Sequence, residues 1–331
     1  MRILVTGSAG FIGFHVAKTL LERGDEVIGI DNFNDYYDPA LKEARTDQIK
    51  NHDRYTLHRV DIASYDDVLR IMQETQPDVV CHLAAQAGVR YSIENPQAYV
   101  QSNMVGFVNI LEAIVHVNGP RLVYASSSSV YGNNAKVPFS VEDPVDHPIS
   151  MYAASKKANE LMAHVYHHLY HIHCTGLRFF TVYGPWGRPD MALFRFTRAM
   201  LEGKSIDVYN HGNMERDFTF IDDIVRGTIA AIDTPLKFQV LNIGQGNPQP
   251  LMTFIETIEA ALGITAQKNL LPMQPGDVAR TFADTSAIER HLGYKPTTSI
   301  QEGVPRFVDW YCKYYGVVLA DRSAVQEPTM V

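Results

Sequence analysis

The first half of the chain alternates short apolar runs with stretches whose apolar residues fall three and four positions apart. Residues 2–6 (RILVT), 26–30 (EVIGI), 55–60 (YTLHRV), 78–84 (DVVCHLA), 121–126 (RLVYAS) and 175–180 (TGLRFF) are the strand candidates. Between most of them lie helical spacings, such as Val16-Thr19-Leu20 and Val105-Val108-Leu111-Ile114. Near-continuous apolar strands separated by helices are what a parallel sheet covered on both faces requires. An α/β fold, a doubly wound parallel sheet, is expected.

The second half is less regular. Residues 184–217 hold Gly, Pro and charged residues around one helical stretch, 192–201, and residues 219–245 look sheet-like again around Val240-Leu241-Asn242-Ile243. Beyond about residue 250 the pattern is helical, and Ser299-x-x-Glu302 reads as a capping box that opens the last helix. The expected organisation is a larger domain over 1–183, with 219–245 returning to it. A smaller, partly interleaved C-terminal lobe takes 184–218 and 246–320, and 321–331 is a dispensable tail.

The first strand runs into Thr6-Gly7-Ser8-Ala9-Gly10-Phe11-Ile12-Gly13 and then a helix. A tight turn, close backbone approach to a pyrophosphate and close helix–strand packing each need a position without a side chain. The second strand ends at Asp31, 18 residues past Gly13, placed to accept hydrogen bonds from an adenosine ribose. Asn32, Phe33 and Asn34 follow it, with no arginine to meet a 2′-phosphate, so NAD is favoured over NADP. Asp61 and Ile62, closing the third strand, are candidates to flank the adenine. The fold expected is therefore of the Rossmann type, with its smaller lobe taking the substrate.

Composition narrows the picture. Of 331 residues, 46% are apolar and 20% charged, and the net charge is −8, so no broad basic surface invites nucleic acid. Cys81, Cys174 and Cys312 lie far apart with no metal-type spacing, which suits a reducing cytoplasm. Residues 2–6 already read as a buried strand, leaving no room for a signal peptide, and no apolar run approaches the ~18–20 residues that cross a bilayer. A cytoplasmic protein with no membrane partner is expected.

Tyr152 and Lys156 stand four apart early in a helical stretch, with Ser150 as its N-cap, so phenol and ammonium share one face. A phenol is a poor base at neutral pH. A neighbouring ammonium and a positive cofactor ring are expected to lower its pKa. Upstream, the fifth strand ends in Ser126-Ser127-Ser128-Ser129-Val130-Tyr131-Gly132, which places hydroxyls at the crevice where such folds bind ligands. The glycine turn, the strand end Leu83-Ala84-Ala85, the serine run and Tyr152-x-x-x-Lys156 together resemble the extended short-chain dehydrogenase/reductases, over nearly the whole chain. The resemblance implies that Tyr152 is the acid/base, Lys156 holds the nicotinamide ribose and Ser127 bonds the substrate hydroxyl. It also implies a homodimer with two helices contributed by each subunit.

Within that family, members that dehydrate sugars carry Thr-Asp-Glu before the Val-Tyr-Gly, and decarboxylases of UDP-glucuronate carry Glu there. Here Ser127, Ser128 and Ser129 occupy those places. With only a tyrosine to move protons, the site suits oxidation and return of the same hydride, which is epimerisation. The segments 31–37 (DNFNDYY), 87–92 (AGVRYS) and 183–191 (YGPWGRPDM) resemble those of 4-epimerases acting on UDP-glucuronate. A buried C6 carboxylate needs a cation, and a bidentate arginine serves. Arg188 is the first candidate and Arg90 the second, each with a structural ion pair as the bland alternative. Ser128 and Thr181 are further substrate candidates. Arg216 and Arg280 match family positions that meet the UDP group, although either could pair with the aspartate near it, and Asn210 is expected near the uridine.

Alternatives remain: a UDP-glucose 4-epimerase, a UDP-glucuronate decarboxylase, or a sensor scaffold that binds NAD without turnover. His164, His167, His168, His171 and His173 invite a metal reading. No cysteine or carboxylate completes an obvious site and the chemistry needs none, so this helix is read as a polar or dimer-facing surface.

Overall fold

The computed structural model describes residues 1–117 and 119–319; the expected tail, 321–331, lies outside the described residues. Seven strands, β1 (Arg2–Thr6), β2 (Glu26–Ile30), β3 (Tyr55–His58), β4 (Val79–His82), β5 (Arg121–Ser127), β6 (Cys174–Phe179) and β7 (Phe238–Ile243), form one sheet. Its spatial order is β7-β6-β5-β4-β1-β2-β3, and every neighbouring pair is parallel. Alternation along β1 shows why the run is apolar throughout. Ile3 and Val5 pack with Phe14 and Ala17 on one side, while Leu4 packs with Val68, Ile71, Phe107 and Ile110 on the other.

The apolar runs outlast the ladders at their C-terminal ends. β3 stops at His58 and β4 at His82; Val60, Leu83 and Ala84 lie beyond, on the wall of a cavity. That edge is where parallel sheets of this winding open a ligand crevice, between the strands on which the order reverses. β1, flanked by β2 and β4, feeds it.

The sheet-like expectation for 219–245 is corrected in its middle. Phe218–Phe220 pairs in parallel with Thr181–Tyr183, residues Ile221–Asp233 form a helix, and only then does β7 begin. The helix carries Ile221, Ile224, Val225, Thr228 and Ile232 to the core. Their three- and four-residue spacing is helical, but a β-branched run imitates a strand when read for composition. Helices Ala192–Leu201, Leu251–Leu262 and Ile300–Tyr315 complete the other half. There Phe218 and Phe254 stack with ring centres 3.8 Å apart, and the Ser299 hydroxyl accepts the Glu302 amide at 3.3 Å. No described helix is long and apolar enough to cross a membrane.

The glycine turn after β1 has no room for side chains. Gly7 adopts φ +71°, and a Cβ there would stand 2.8 Å from the Ala84 amide nitrogen; one on Gly13 would stand 2.0 Å from the Gly7 carbonyl oxygen. Helix Phe11–Glu22 starts at Gly10 without a side-chain cap, so its first-turn amides are left for a ligand. Gly13→Ala is expected to destabilise the protein by on the order of 2–3 kcal/mol and to weaken dinucleotide binding. Thermal unfolding together with a cofactor titration checks both.

Candidate active site

A cavity of about 790 Å³ follows the C-terminal edge of the sheet. Gly7, Gly10, Phe11, Ile12, Gly13, Asp31, Asn32, Ile62, Leu83, Ala84 and Ala85 line one end. Ser127, Ser128, Tyr152, Lys156 and Thr181 line it too, as do Arg90, Arg188 and Arg216. Asp61, Asn210 and Arg280 are not on this wall. Asp61 accepts the Asn32 amide at 2.8 Å. Asn210 adopts φ +51° and donates to the Asn213 carbonyl at 2.7 Å. Arg280 pairs with Glu215 at 2.6 Å rather than with Asp277.

At the glycine turn, Asp31 is bonded to the backbone through both oxygens, accepting the Ala9 amide at 3.1 Å and the Phe33 amide at 2.8 Å. The expectation that no cation follows Asp31 holds only locally. Helix Pro39–Asp47 returns Lys42 to within 3.6 Å of its carboxylate, with both side chains buried. Lys42 also donates to Asn34 at 2.9 Å. Spacing along the chain gave no sign of it.

In the middle, helix Met151–Tyr170 opens with the Ser150 hydroxyl accepting the Ala153 amide at 3.1 Å. Lys156 is buried and donates to the Ala125 carbonyl at 2.8 Å; burial pulls its ammonium down to about 8. The Tyr152 phenol is pushed up by burial, against opposing pulls from the Ser127 hydroxyl and the Arg188 guanidinium. The lowering expected from Lys156 is thus not what the protein alone provides. Burial outweighs the favourable partners, and the cation acting on the phenol is Arg188.

Behind these groups lies a buried polar network that sequence reasoning missed. Glu160, one turn beyond Lys156, accepts the Ser126 hydroxyl at 2.6 Å and a fork from Arg178 of β6, Nε at 2.8 Å and Nη2 at 2.9 Å. Arg178 also donates to the Tyr131 hydroxyl at 2.9 Å, which donates to Asn242 of β7 at 2.7 Å. The available signal was a charge inside an apolar strand, TGLRFF, which must find a partner when buried. Asn103, in the π-helical turn Val100–Val105, likewise donates to the Gln86 carbonyl and the Ser155 hydroxyl, both at 3.0 Å; π-turns are frequent at functional sites.

Arg188 is bound edge-on by Asp190, Nε to Oδ1 at 3.0 Å and Nη2 to Oδ2 at 2.5 Å, and Tyr36 donates to the same carboxylate at 3.2 Å. Burial works against the Arg188 charge, but Asp190 more than offsets it, and the guanidinium stays firmly protonated. Arg90 meets Asp277 at 3.0 Å and lies 4.5 Å over the Tyr209 ring. Arg216 donates to the carbonyls of Glu215 and Ala279, at 2.9 and 3.2 Å. Burial, and also Arg90, pull Arg216 below its usual value against the opposing pull of Asp277. Asp217 is not its partner: that carboxylate accepts the amides of Gln245, Gly246 and Ala283. Two arginines therefore act around one aspartate, and the surplus positive charge suits a polyanion.

Among the described residues no group of three or more His, Cys, Asp or Glu is arranged to hold a metal. His164 and His167 pack on Phe238, and His167 also bonds the Ile172 carbonyl.

The family model described as GDP-mannose 4,6 dehydratase matches residues 4–307, and the chain belongs to this family of extended short-chain dehydrogenase/reductases. It is 53% identical to Protein CapI of Staphylococcus aureus, over 95% of this chain and 99% of that one. It is 51% identical to UDP-glucuronate 4-epimerase 4 of Arabidopsis thaliana, over 95% of this chain and 76% of that protein. The crystal structure of UDP-glucuronic acid 4-epimerase from Bacillus cereus in complex with UDP-glucuronic acid and NAD superposes with a TM-score of 0.90 at 38% identity, covering 95% of this chain and all of that one.

Lys156→Met provides a test of the buried ammonium. A lysine whose folded pKa lies below its unfolded value loses stability at low pH and regains it as the pH rises through the folded pKa. The variant should therefore unfold at higher temperature than the parent at pH 7, with the gap narrowing from about pH 8 upward. Paired melting curves from pH 7 to 10 measure it; a gap independent of pH would contradict the charged, buried state.

Proposed function

We propose that the protein is an NAD-dependent nucleotide-sugar 4-epimerase, an isomerase that interconverts UDP-glucuronate and UDP-galacturonate through a 4-keto sugar. The observation that carries this reading is that Tyr152, Lys156, Ser127 and Arg188 line one cavity continuous with the glycine turn. The names of the Arabidopsis thaliana and Bacillus cereus relatives support it. The uncapped amides of the first helical turn and the side-chain-free turn at Gly7 and Gly13 fit a dinucleotide pyrophosphate. Asp31, with its carboxylate facing the ribose, disfavours a 2′-phosphate. Asn32 and Ile62 flank the adenine, with Asp61 off the cavity wall and acting only by holding the Asn32 side chain, and Leu83, Ala84 and Ala85 form the opposite wall.

NAD, when bound, accepts the C4 hydride and returns it, and its positive ring favours the phenolate. Tyr152 takes the C4 hydroxyl proton as the C4–H bond breaks and the C=O forms, while Ser127 holds the hydroxyl and Lys156 the nicotinamide ribose. After the sugar turns about its bond to the diphosphate, Tyr152 returns the proton to the carbonyl oxygen on the other face. With serines at 127–129, no carboxyl is placed for dehydration. The intermediate is a β-keto acid, which loses CO2 when its C5–C6 bond aligns with the carbonyl π system. Arg188, with Ser128 and Thr181, holds the carboxylate out of that alignment, and Arg90 and Arg216 take the diphosphate.

The same reading assigns residues 1–183 and 219–245 to the dinucleotide domain and 184–218 with 246–320 to the substrate lobe. It also makes the protein a homodimer: Leu161, Val165 and Leu169, four residues apart on helix Met151–Tyr170, are 57%, 48% and 58% exposed. An apolar stripe of this kind calls for a partner surface. Cys81 and Cys174, both buried free thiols, suit a cytoplasmic setting.

Product analysis by NMR tests the assignment, with UDP-galacturonate expected from UDP-glucuronate. Conversion of UDP-glucose to UDP-galactose with UDP-glucuronate untouched would contradict it. Tyr152→Phe should lower kcat by roughly 10²–10⁴-fold, the scale of a lost general acid/base, with NAD still bound. Arg188→Ala should raise the KM for UDP-glucuronate and release more CO2 per turnover.

A further inference from the structure

The loop that brings Arg188 into the cavity hangs from the dinucleotide half of the molecule. The three residues before Arg188 all have their carbonyls captured from there. His15, on helix Phe11–Glu22, meets the Pro185 carbonyl through Nε2 at 3.0 Å. Arg45, on helix Pro39–Asp47, donates to the Trp186 carbonyl from Nε at 3.1 Å and Nη2 at 2.7 Å, and to the Gly187 carbonyl at 3.3 Å. Its remaining nitrogen, Nη1, donates at 3.0 Å to the Ala9 carbonyl inside the glycine turn, and at 2.7 Å to the Tyr37 hydroxyl.

Arg45 is wholly buried and forms no salt bridge among the described residues. A guanidinium kept in the interior by carbonyls and a phenol alone is costly, and an apolar side chain would fill the space more cheaply. What arginine adds is a rigid planar fork that bonds two loops on different edges at once. Trp186 needs such a hold, because at φ +62° it adopts a left-handed conformation that a non-glycine residue reaches only at a cost.

We propose that Arg45 is a positioning residue that sets Arg188 against the glycine turn and thereby determines the preference for a uronate over a neutral sugar. The proposal rests on the assignment of Arg188 to the C6 carboxylate. Arg45 touches no substrate; it acts through the Trp186 and Gly187 carbonyls on the residue that follows them. Tyr36, from the same segment, supports the partner carboxylate Asp190 from the other side.

Calorimetric Kd values for UDP-glucuronate and UDP-glucose, measured on the NAD-loaded enzyme, test this in the parent, Arg45→Lys, Arg45→Met, Arg188→Ala and the Arg45→Lys/Arg188→Ala pair. Lysine keeps the charge and loses the fork, so it remains informative should the methionine variant fail to fold. Arg188→Ala should weaken UDP-glucuronate roughly tenfold or more with little change for UDP-glucose. Arg45→Lys should weaken UDP-glucuronate by about fivefold, leave UDP-glucose within about twofold, and have no further effect once Arg188 is gone. A lower Tm with an unchanged ratio of the two affinities, or effects that multiply in the pair, would assign Arg45 to general stability and overturn the proposal. An unchanged ratio in Arg188→Ala would instead overturn the carboxylate assignment on which it rests.

Discussion

On the proposed reading the Tyr152 phenol moves protons at neutral pH, so it has to be dry and still have something positive within reach. That conflict is the constraint on which the rest of the site depends. Burial alone pushes the phenol up; Ser127 and Arg188 pull against it. The three groups come from different places, the helix Met151–Tyr170, the end of β5 and the loop after Tyr183, so their meeting depends on how those elements are locked together. Glu160 does this for the first two. Set one turn past Lys156, it grips the Ser126 hydroxyl and the Arg178 fork, tying helix, β5 and β6 to one buried ion pair. Breaking such a pair leaves an uncompensated charge in the interior, so the cluster fixes the positions of the three elements it joins.

The distribution of charge follows the same logic. A protein with net charge −8 has to gather cations for an anionic ligand without letting them repel one another. Arg188 is held by Asp190, Arg90 by Asp277 and Lys42 by Asp31. Each carboxylate fixes a cation in place before a ligand arrives, which limits the side-chain entropy lost on binding. Arg216, bonded only to carbonyls, is the exception, and it is the arginine whose charge is least favoured.

Much of this was legible in the sequence, and the parts that were not have physical reasons. The parallel sheet announced itself because β1, β2, β4 and β5 are buried on both faces, and the glycine turn because close backbone approach excludes side chains. Helical spacing placed Tyr152 and Lys156 on one face of helix Met151–Tyr170, and the glycine turn and serine run gave that pair its meaning. Groups joined only by tertiary folding stayed hidden: Lys42 beside Asp31, Arg45 beneath Trp186, Glu160 beneath Ser126. The helix Ile221–Asp233 was hidden differently, its β-branched residues disguising a helical period. The upward push that burial in the protein alone gives the Tyr152 phenol was hidden too, because desolvation, unlike a charge four residues away, leaves no mark on spacing.

The chemistry can be followed through a single atom. When UDP-glucuronate carrying deuterium at C4 is converted in ordinary water, the account predicts that UDP-galacturonate retains the label at C4, since the same hydride leaves and returns. Loss of deuterium to solvent at that carbon would show a proton-abstraction route, and Tyr152 would then not be serving a transient oxidation.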